Sequence, residues 1–275
     1  MSKIWFVTGA TRGLGRAWVE AALKRGDRIA ATARKAEDLA ELKSAYGEAF
    51  LPLVIDLTDR EAVFGAVART ISHFGRIDVV VSNAGYALFG TVEEGDEAQS
   101  RAQFDVNFFG TLWVIQAVLP QLRKQGGGHI LVTSSVAGII TFPTAGVYNA
   151  TKWAIEGLTE TLASEVDTFG IKVTLIEPGG YATDWRGSSA TRAVSMPEYD
   201  DLRDRMKARS AGHQLGNPQA TAQAILAVVD ALEPPLRLFL GNAGLIVARQ
   251  AYASRIATWE AWASVSADAQ GQPSS

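Results

Sequence analysis

Short runs of β-branched and aliphatic residues alternate along the chain with longer stretches in which apolar positions recur every three or four residues. The short runs, at 4–8, 28–33, 50–55, 79–82, 129–133, 172–176 and 236–240, predict strands. The longer stretches, at 14–25, 36–45, 60–74, 103–124, 147–169 and 218–232, predict helices. Almost every position of the strand runs is apolar, which is the pattern of strands covered on both faces, as in parallel sheets. Strand–helix alternation implies right-handed crossovers with helices above and below the sheet. The expected architecture is α/β: a doubly wound, mainly parallel, seven-stranded sheet in a single domain over 1–265, with no repeat and no linker between two cores.

Two regions break the alternation. Residues 183–216 are polar and rich in charged and small residues where a strand would ordinarily return at once to a helix, and a connection of that length reads as a lid. Beyond the last strand, 241–265 reads as a helical extension carrying Tyr252, Trp259 and Trp262, and 266–275 as a fraying tail.

Composition narrows the function classes. The net charge of −3 without a Lys/Arg cluster argues against a general nucleic-acid binder or a membrane-surface patch. Zero cysteines remove disulfides, thiolate metal sites and cysteine nucleophiles. His73, His129 and His213 are scattered without partners at metal-ligand spacing, so they read as structural or solvated and no metal is expected. No basic-then-apolar leader and no apolar run of bilayer length is visible, and a cytoplasmic location is the expectation.

The first strand runs directly into Thr8-Gly9-Ala10-Thr11-Arg12-Gly13-Leu14-Gly15 and then a helix. Glycines between a strand and a helix let the backbone approach a pyrophosphate at the positive end of that helix, as in Rossmann-like folds. The spacing here is Gly-x-x-x-Gly-x-Gly, not the general Gly-x-Gly-x-x-Gly, whose third position counted from Gly13 falls on Trp18. An acid is expected at the end of the second strand when a ribose 2′-hydroxyl is held. This chain has Ala33 and Arg34 there, and Arg12 inside the loop. Two guanidiniums suit a 2′-phosphate, and the expected cofactor is NADP(H).

A second constellation is Tyr148-Asn149-Ala150-Thr151-Lys152, which opens a predicted helix. Residues four apart share a helix face, so the phenol and the ammonium point into one space. The cation is expected to lower the phenol pKa towards the range useful for acid–base catalysis.

These motifs recur in register with others, and together they resemble the short-chain dehydrogenase/reductase family, in its single-domain, NADP-preferring branch. Besides the glycine loop and Tyr148-x-x-x-Lys152 they are Asp56-Leu57 after the third strand and Asn83-Ala84-Gly85 after the fourth. Asn107, Ser134-Ser135 and Pro178-Gly179-x-x-x-Thr183 complete the set. The resemblance, spanning residues 3 to about 240, implies catalytic roles for Ser135, Tyr148, Lys152 and Asn107. Tyr148 is then the acid–base residue, Lys152 its modulator and a ribose ligand, and Ser135 the partner of the substrate oxygen. Ser135 is preferred to Ser134 because it lies thirteen residues before Tyr148, the family's usual spacing. Asn107 steadies a water linking Lys152 to solvent. The same resemblance implies cofactor contacts from Gly9, Thr11, Arg12, Gly13, Leu14 and Arg34. It adds Asp56, Leu57, Asn83, Ala84 and Gly85 on the adenosine side. Tyr148, Lys152, Pro178, Gly179, Tyr181 and Thr183 then attend the nicotinamide end. Two plainer readings stand beside these: Asp56 as a turn cap, and Asn83-Ala84-Gly85 as packing at the sheet end.

The implied chemistry is hydride transfer between a nicotinamide and a carbonyl or carbinol carbon, in the direction of reduction. The expected pocket lining is apolar or aromatic: Ala87, Leu88, Phe89, Ile139, Ile140, Phe142 and Trp185, with Met196 and Tyr199 from the lid. That suits a small hydrophobic ketone or aldehyde. Residues 177–181, the lid and the last helix resemble hydroxysteroid-dehydrogenase-like carbonyl reductases. Two alternatives remain. One is β-ketoacyl reduction, for which Arg186, Arg192, Arg203 and Arg205 offer a basic mouth; the other is an NADP-sensing protein without turnover. Helices 103–124 and 147–169 form the assembly surface of such enzymes, so a homodimer or homotetramer is expected, with no nucleic-acid or membrane partner.

Overall fold

The computed structural model describes residues 2–187, 189–210, 212 and 214–271. Seven strands form the central sheet: β1 Ile4–Val7, β2 Arg28–Ala33, β3 Phe50–Val54, β4 Val79–Ser82, β6 Gly128–Thr133, β7 Ile171–Pro178 and β9 Arg237–Leu240. Their order is β3-β2-β1-β4-β6-β7-β9, with every neighbouring pair parallel. The expected α/β, Rossmann-like, doubly wound sheet is thus the observed one.

The apolar strand runs follow from this placement, since β1 and β4 are buried at all of their positions. One face of the sheet packs under α1 (Gly13–Lys24), α2 (Ala40–Tyr46) and α8 (Thr221–Asp230) around Trp5, Trp18, Leu42 and Ile225. The other packs under α3 (Arg60–Phe74), α5 (Gly110–Gln125) and α6 (Gly146–Val166) around Phe6, Val67, Val118 and Ile155. Of the histidines, His129 is a buried strand residue whose Nε2 lies 2.9 Å from Thr174 Oγ1, and burial pulls it down to about 4. His73 sits edge-on against Phe74, and His213 lies outside the described residues.

The helix expected at 103–124 is longer and interrupted. It begins as α4 (Glu97–Phe104), passes through a π-helical turn at Asp105–Phe109 and continues as α5. The described residues of 183–216 form elements as well. They contribute β8 (Thr191–Arg192), which pairs with β5 (Leu88–Phe89), and α7 (Asp200–Ser210). In Asp-Asp-Leu-Arg-Asp-Arg-Met-Lys-Ala-Arg-Ser only Leu202 and Met206 are large and apolar, too few to mark α7 by an apolar period.

Beyond β9, α9 (Ala243–Ala261) lies against the body through Gly244, Ala248 and Arg255, whose Nη2 donates to the Ile139 carbonyl at 3.0 Å. Ile256, Trp259, Trp262 and Val265 are all exposed. Residues expected to fray from 266 are helical as far as Gln270, in α10 (Ala263–Gln270). Among the described residues no helix is long and apolar enough to cross a membrane.

Candidate active site

The carboxyl ends of β1, β4, β6 and β7 meet on one edge of the sheet. At β1 the chain turns through Gly9 (φ 69°) and Gly13 (φ 59°), backbone conformations that side chains with a Cβ rarely adopt. Gly15 is demanded by space instead, because a Cβ there would lie 2.2 Å from the Gly9 carbonyl oxygen and 2.5 Å from Asn83 Nδ2. Arg12 caps α1 without a side-chain hydrogen bond. The first-turn N–H groups of a twelve-residue helix therefore face outward at its positive end. Thr11 and Leu14 are half-buried on either side of that turn. A cleft of about 580 Å³ opens beside it, lined by Gly13, Arg16, Thr183, Asp184, Gly216 and neighbours.

Asn83 and Ala84 serve as scaffold. Asn83 Nδ2 donates to the Gly9 carbonyl at 3.0 Å, and both backbone N–H groups donate to Thr8 Oγ1, at 3.0 and 3.2 Å. Asp56 accepts from the N–H and hydroxyl of Thr58, both at 2.9 Å, and so caps its turn. Leu57 packs beneath the start of α5. Arg34 follows β2 on the sheet edge that carries the glycine loop, since Val7 pairs with Ala31. It is exposed. Arg12, also exposed, lies 3.4 Å from Asp184.

Ser135, Tyr148 and Lys152 converge at the end of β6. Ser135 Oγ accepts from the Ala137 N–H at 3.1 Å and also hydrogen-bonds the Tyr148 phenol. Lys152 Nζ donates to the Thr133 carbonyl at 2.8 Å and lies 5.8 Å from the Tyr148 ring centroid. Both Tyr148 and Lys152 are buried. Burial pushes Tyr148 up to about 12 against the Ser135 hydrogen bond, and pulls Lys152 down to about 8 against the charge of Glu156. The expected lowering of the phenol by its cation is therefore not found in the protein by itself. Desolvation disfavours both charged forms and outweighs the Ser135 hydrogen bond at the phenol and the Glu156 charge at the amine. Thr144, in the loop that delivers Tyr148, holds φ 60° while its carbonyl accepts from the Gly90 N–H at 2.9 Å. A left-handed threonine beside a reacting group is backbone strain that the surrounding contacts sustain.

Asn107 sits in the π-helical turn, a geometry that recurs at functional sites. Its amide bridges both backbone groups of Tyr86, at 3.0 and 3.1 Å, and donates to Thr151 Oγ1 at 3.1 Å. Gly85 keeps the space beside it open, since a Cβ there would stand 3.0 Å from Asn107 Oδ1 and 3.8 Å from Lys152 Nζ.

Of the expected pocket residues, Ala87, Phe89 and Trp185 gather at Tyr148, together with Ala137 and Ala145. Trp185 meets the Tyr148 ring at 5.2 Å and the Phe89 ring at 5.2 Å, both edge-on. Leu88 and Ile139 are buried nearby in the chain but outside that cluster, Ile140 is half-buried, and Phe142 is exposed. Met196 and Tyr199 bear on an anchor the sequence did not reveal. Glu94, its side chain 1% exposed, accepts from the Met196 N–H at 2.7 Å, the Thr91 N–H at 2.7 Å and Arg203 at 2.6 Å. The N–H groups of Met196 and Thr91, with Arg203, hold the Glu94 carboxyl at about 2. Tyr199 donates to Glu93 at 2.5 Å. Thr183 caps the turn that carries Trp185. The Tyr181 ring packs against Gly216, so only the backbone of Tyr181 is left to face a cofactor. Gly179 donates to the Leu240 carbonyl at 3.0 Å, and Pro178 closes β7.

The chain is similar to known proteins over most of its length. Oxidoreductase BOA17 of Botryotinia fuckeliana is 43% identical over 275 residues, covering 97% of this chain and 98% of that protein. The 3-ketodihydrosphingosine reductase of Bacteroides thetaiotaomicron is 33% identical over 244 residues, covering 87% and 88%. A crystal structure of a short-chain dehydrogenase from Streptomyces avermitilis superposes with a TM-score of 0.90 at 36% identity, covering 98% of this chain and 99% of that one. Other structures of the same fold hold NADP or NAD. With the sequence pattern described as short chain dehydrogenase matching residues 3–193, the chain belongs to that family of oxidoreductases.

Proposed function

We propose that this oxidoreductase is an NADP(H)-dependent carbonyl reductase that interconverts a hydrophobic ketone or aldehyde and its alcohol. The observation that carries the reading is the convergence of Ser135, Tyr148 and Lys152 beside the glycine turn. The loop fits a dinucleotide: Gly9, Thr11, Arg12, Gly13 and Leu14 surround an uncapped helix end suited to a pyrophosphate. Asp56, Leu57, Asn83, Ala84 and Gly85 then stand on the adenosine side, and Pro178, Gly179, Tyr181 and Thr183 at the carboxamide. When bound, the coenzyme supplies or accepts the hydride.

The chain's own residues handle oxygen and proton. Ser135 and Tyr148 hold the carbonyl oxygen with two hydroxyl donors, which stabilises charge as it grows there. Tyr148 gives up its proton from Oη, and the ammonium of Lys152 meets the charge left on the phenolate. A water between Asn107 and Lys152 would return that proton, and the lack of a side chain at Gly85 keeps a Cβ out of the space next to both.

Arg34 and Arg12 support the preference for a 2′-phosphate. The contact between Arg12 and Asp184 is an exposed ion pair of little worth, one that a dianion can displace. Hydrogen bonds to charged groups contribute ~1.5–3 kcal/mol, so Arg34→Asp is expected to raise the KM for NADPH by roughly 10- to 150-fold while NADH changes little. Steady-state kinetics with both coenzymes checks this, and equal effects on the two would remove the assignment.

The aromatic cluster of Phe89, Tyr148 and Trp185 favours an apolar substrate. The likeness to a 3-ketodihydrosphingosine reductase adds a long-chain ketone to the candidates. The test is NADPH oxidation across aryl, alicyclic and long-chain aliphatic ketones. Binding of NADPH with turnover of none would favour a nucleotide sensor instead. β-Ketoacyl reduction is the weaker alternative, because Arg203 is committed to Glu94 and Asp200 and not to a carrier-protein surface. Assembly as a homodimer or homotetramer through α5 and α6 is in keeping with exposed Phe109, Trp153 and Phe169 on or beside those helices.

A further inference from the structure

Behind Lys152, between α6, β7 and β9, lies a group of ionisable side chains that the reductase chemistry above does not use. Glu156 is one helical turn beyond Lys152 and is buried like it. Its Oε2 accepts from Arg237 Nε at 3.1 Å. The same guanidinium reaches Glu160 through Nη2 at 2.9 Å. Glu177, at 0% exposure, has Oε1 3.6 Å from Arg237 Nε, and neither of its oxygens has a hydrogen-bond partner among the described residues.

We propose that Glu156 is a positioning residue of the active site: its carboxylate, held by Arg237, sustains the positive charge of Lys152, while Glu177 stands behind it as a neutral acid. This rests on the reductase reading. The charges facing Lys152 are few. Tyr148 and Glu156 come from its own helix, and Arg237 of β9, Glu177 of β7 and Glu160 of α6 stand behind Glu156. Ser134, Ser135 and Asn107, from the neighbouring loop and the π-helical turn, carry no charge.

The charge count forces the division of labour. Two buried carboxyls and one exposed one share a single guanidinium, and a buried carboxylate without a partner is too costly to remain ionised. When two acids share a site, one keeps its proton. Glu177 has the longer contact and no donor, so it is the one. Burial and then Glu156 push it up to about 8, against the pull of Arg237. Glu156 is left as the charged neighbour of the lysine: burial raises it as well, but the Ser134 hydrogen bond, Arg237 and Lys152 itself oppose that, whereas Glu177 has only Arg237 at longer range. Burial brings the ammonium down to about 8 even with that neighbour in place, so removing the Glu156 charge takes it further down, into the neutral range.

Two readouts test this, one of them independent of turnover. The titration of Lys152, followed by NMR of its ¹³Cε, is expected to move down by about one pH unit or more in Glu156→Gln, since an opposite charge at this range is worth ~1–3 units. The high-pH limb of kcat should move down with it. Glu156→Asp keeps the charge at greater reach, so it should restore part of the shift; it also keeps the test alive if the glutamine variant does not fold. Glu177→Gln copies the neutral acid and should leave the Lys152 titration below pH 8 where it is.

Glu177→Gln has its own signature in melting temperature. An acid whose folded pKa is raised binds more protons folded than unfolded, so its contribution to stability declines as pH rises from the ordinary carboxyl value to about 8. The gain in Tm from Glu177→Gln should therefore grow from pH 5 to pH 8. A Lys152 titration that Glu156→Gln does not move, or that Glu177→Gln moves equally, overturns the proposal. A wild-type protein that turns over no ketone counts against the reductase reading instead, because the titration reports on Lys152 either way.

Discussion

Tyr148→Phe is expected to lower kcat by roughly 10²- to 10⁴-fold, the range that a positioned proton donor contributes, while coenzyme affinity stays near that of the wild type. The substitution removes one oxygen and leaves the ring. That ring keeps its edge contact with Trp185 and its place beside Ala87, Ala137 and Ala145. Loss of the Ser135 hydrogen bond costs only about 1 kcal/mol of stability, so the fold should persist and the effect should be on turnover. Single-turnover oxidation of NADPH separates chemistry from binding, and fluorescence titration reports the affinity. A variant with more than a tenth of wild-type kcat would show that the phenol is not the proton donor. Because burial by itself places this phenol at about 12, loss of the oxygen should matter most in the direction of reduction, where the protonated form acts.

Gly15→Ala carries the second large effect. The added methyl would meet the Gly9 carbonyl oxygen at 2.2 Å, and that oxygen is pinned by Asn83 Nδ2 at 3.0 Å. Neither partner is the free end of a flexible side chain, so the loop itself has to shift. Overpacking of this kind costs ~1–3 kcal/mol, and a shift of the loop that takes the same toll on coenzyme binding weakens it by roughly 5- to 150-fold. The control is Gly65→Ala on the exposed side of α3, where a Cβ meets nothing within 4 Å. There, replacing a helical glycine should stabilise by about 0.4–1 kcal/mol. Calorimetric titration with coenzyme and thermal melts of both variants decide the matter. A Gly15→Ala protein that binds like wild type would leave the turn with no part in holding a dinucleotide.

What the sequence showed, and what it hid, follows from the chemistry of particular residues. Strands buried on both faces leave apolar runs, and all seven were legible to within a residue or two. Gly9, Gly13 and Gly15 were legible because no other residue type fits there. The helix α7 was not, since Leu202 and Met206 are its only large apolar residues and it is held by Arg203 gripping Glu94, 109 positions earlier in the chain. No local pattern encodes a partner so far away in the chain. The π-helical turn at Asn107 left no mark either, because α4 and α5 read through it as one helix. The balance at the phenol is illegible for a different reason: four-residue spacing places a charge but says nothing of burial, which is the largest influence on both groups in the protein by itself. Tyr181 was placed by motif alone, and its ring turned out to pack on Gly216.

The two sides of the sheet are completed at different moments of synthesis. The side under α3, α5 and α6 is assembled largely from residues 4–175. The side under α1 waits for α8: Trp18 is buried there, and its Nε1 finds its acceptor, Thr221 Oγ1 at 2.7 Å, only after two hundred further residues have emerged. Until then a growing chain carries one finished flank and one that α1 and α2 cover only in part, with Trp18 lacking its cover, the kind of half-covered intermediate that draws chaperones or aggregates. Ribosome-stalled lengths ending before and after α8 should differ sharply in how firmly chaperones hold them.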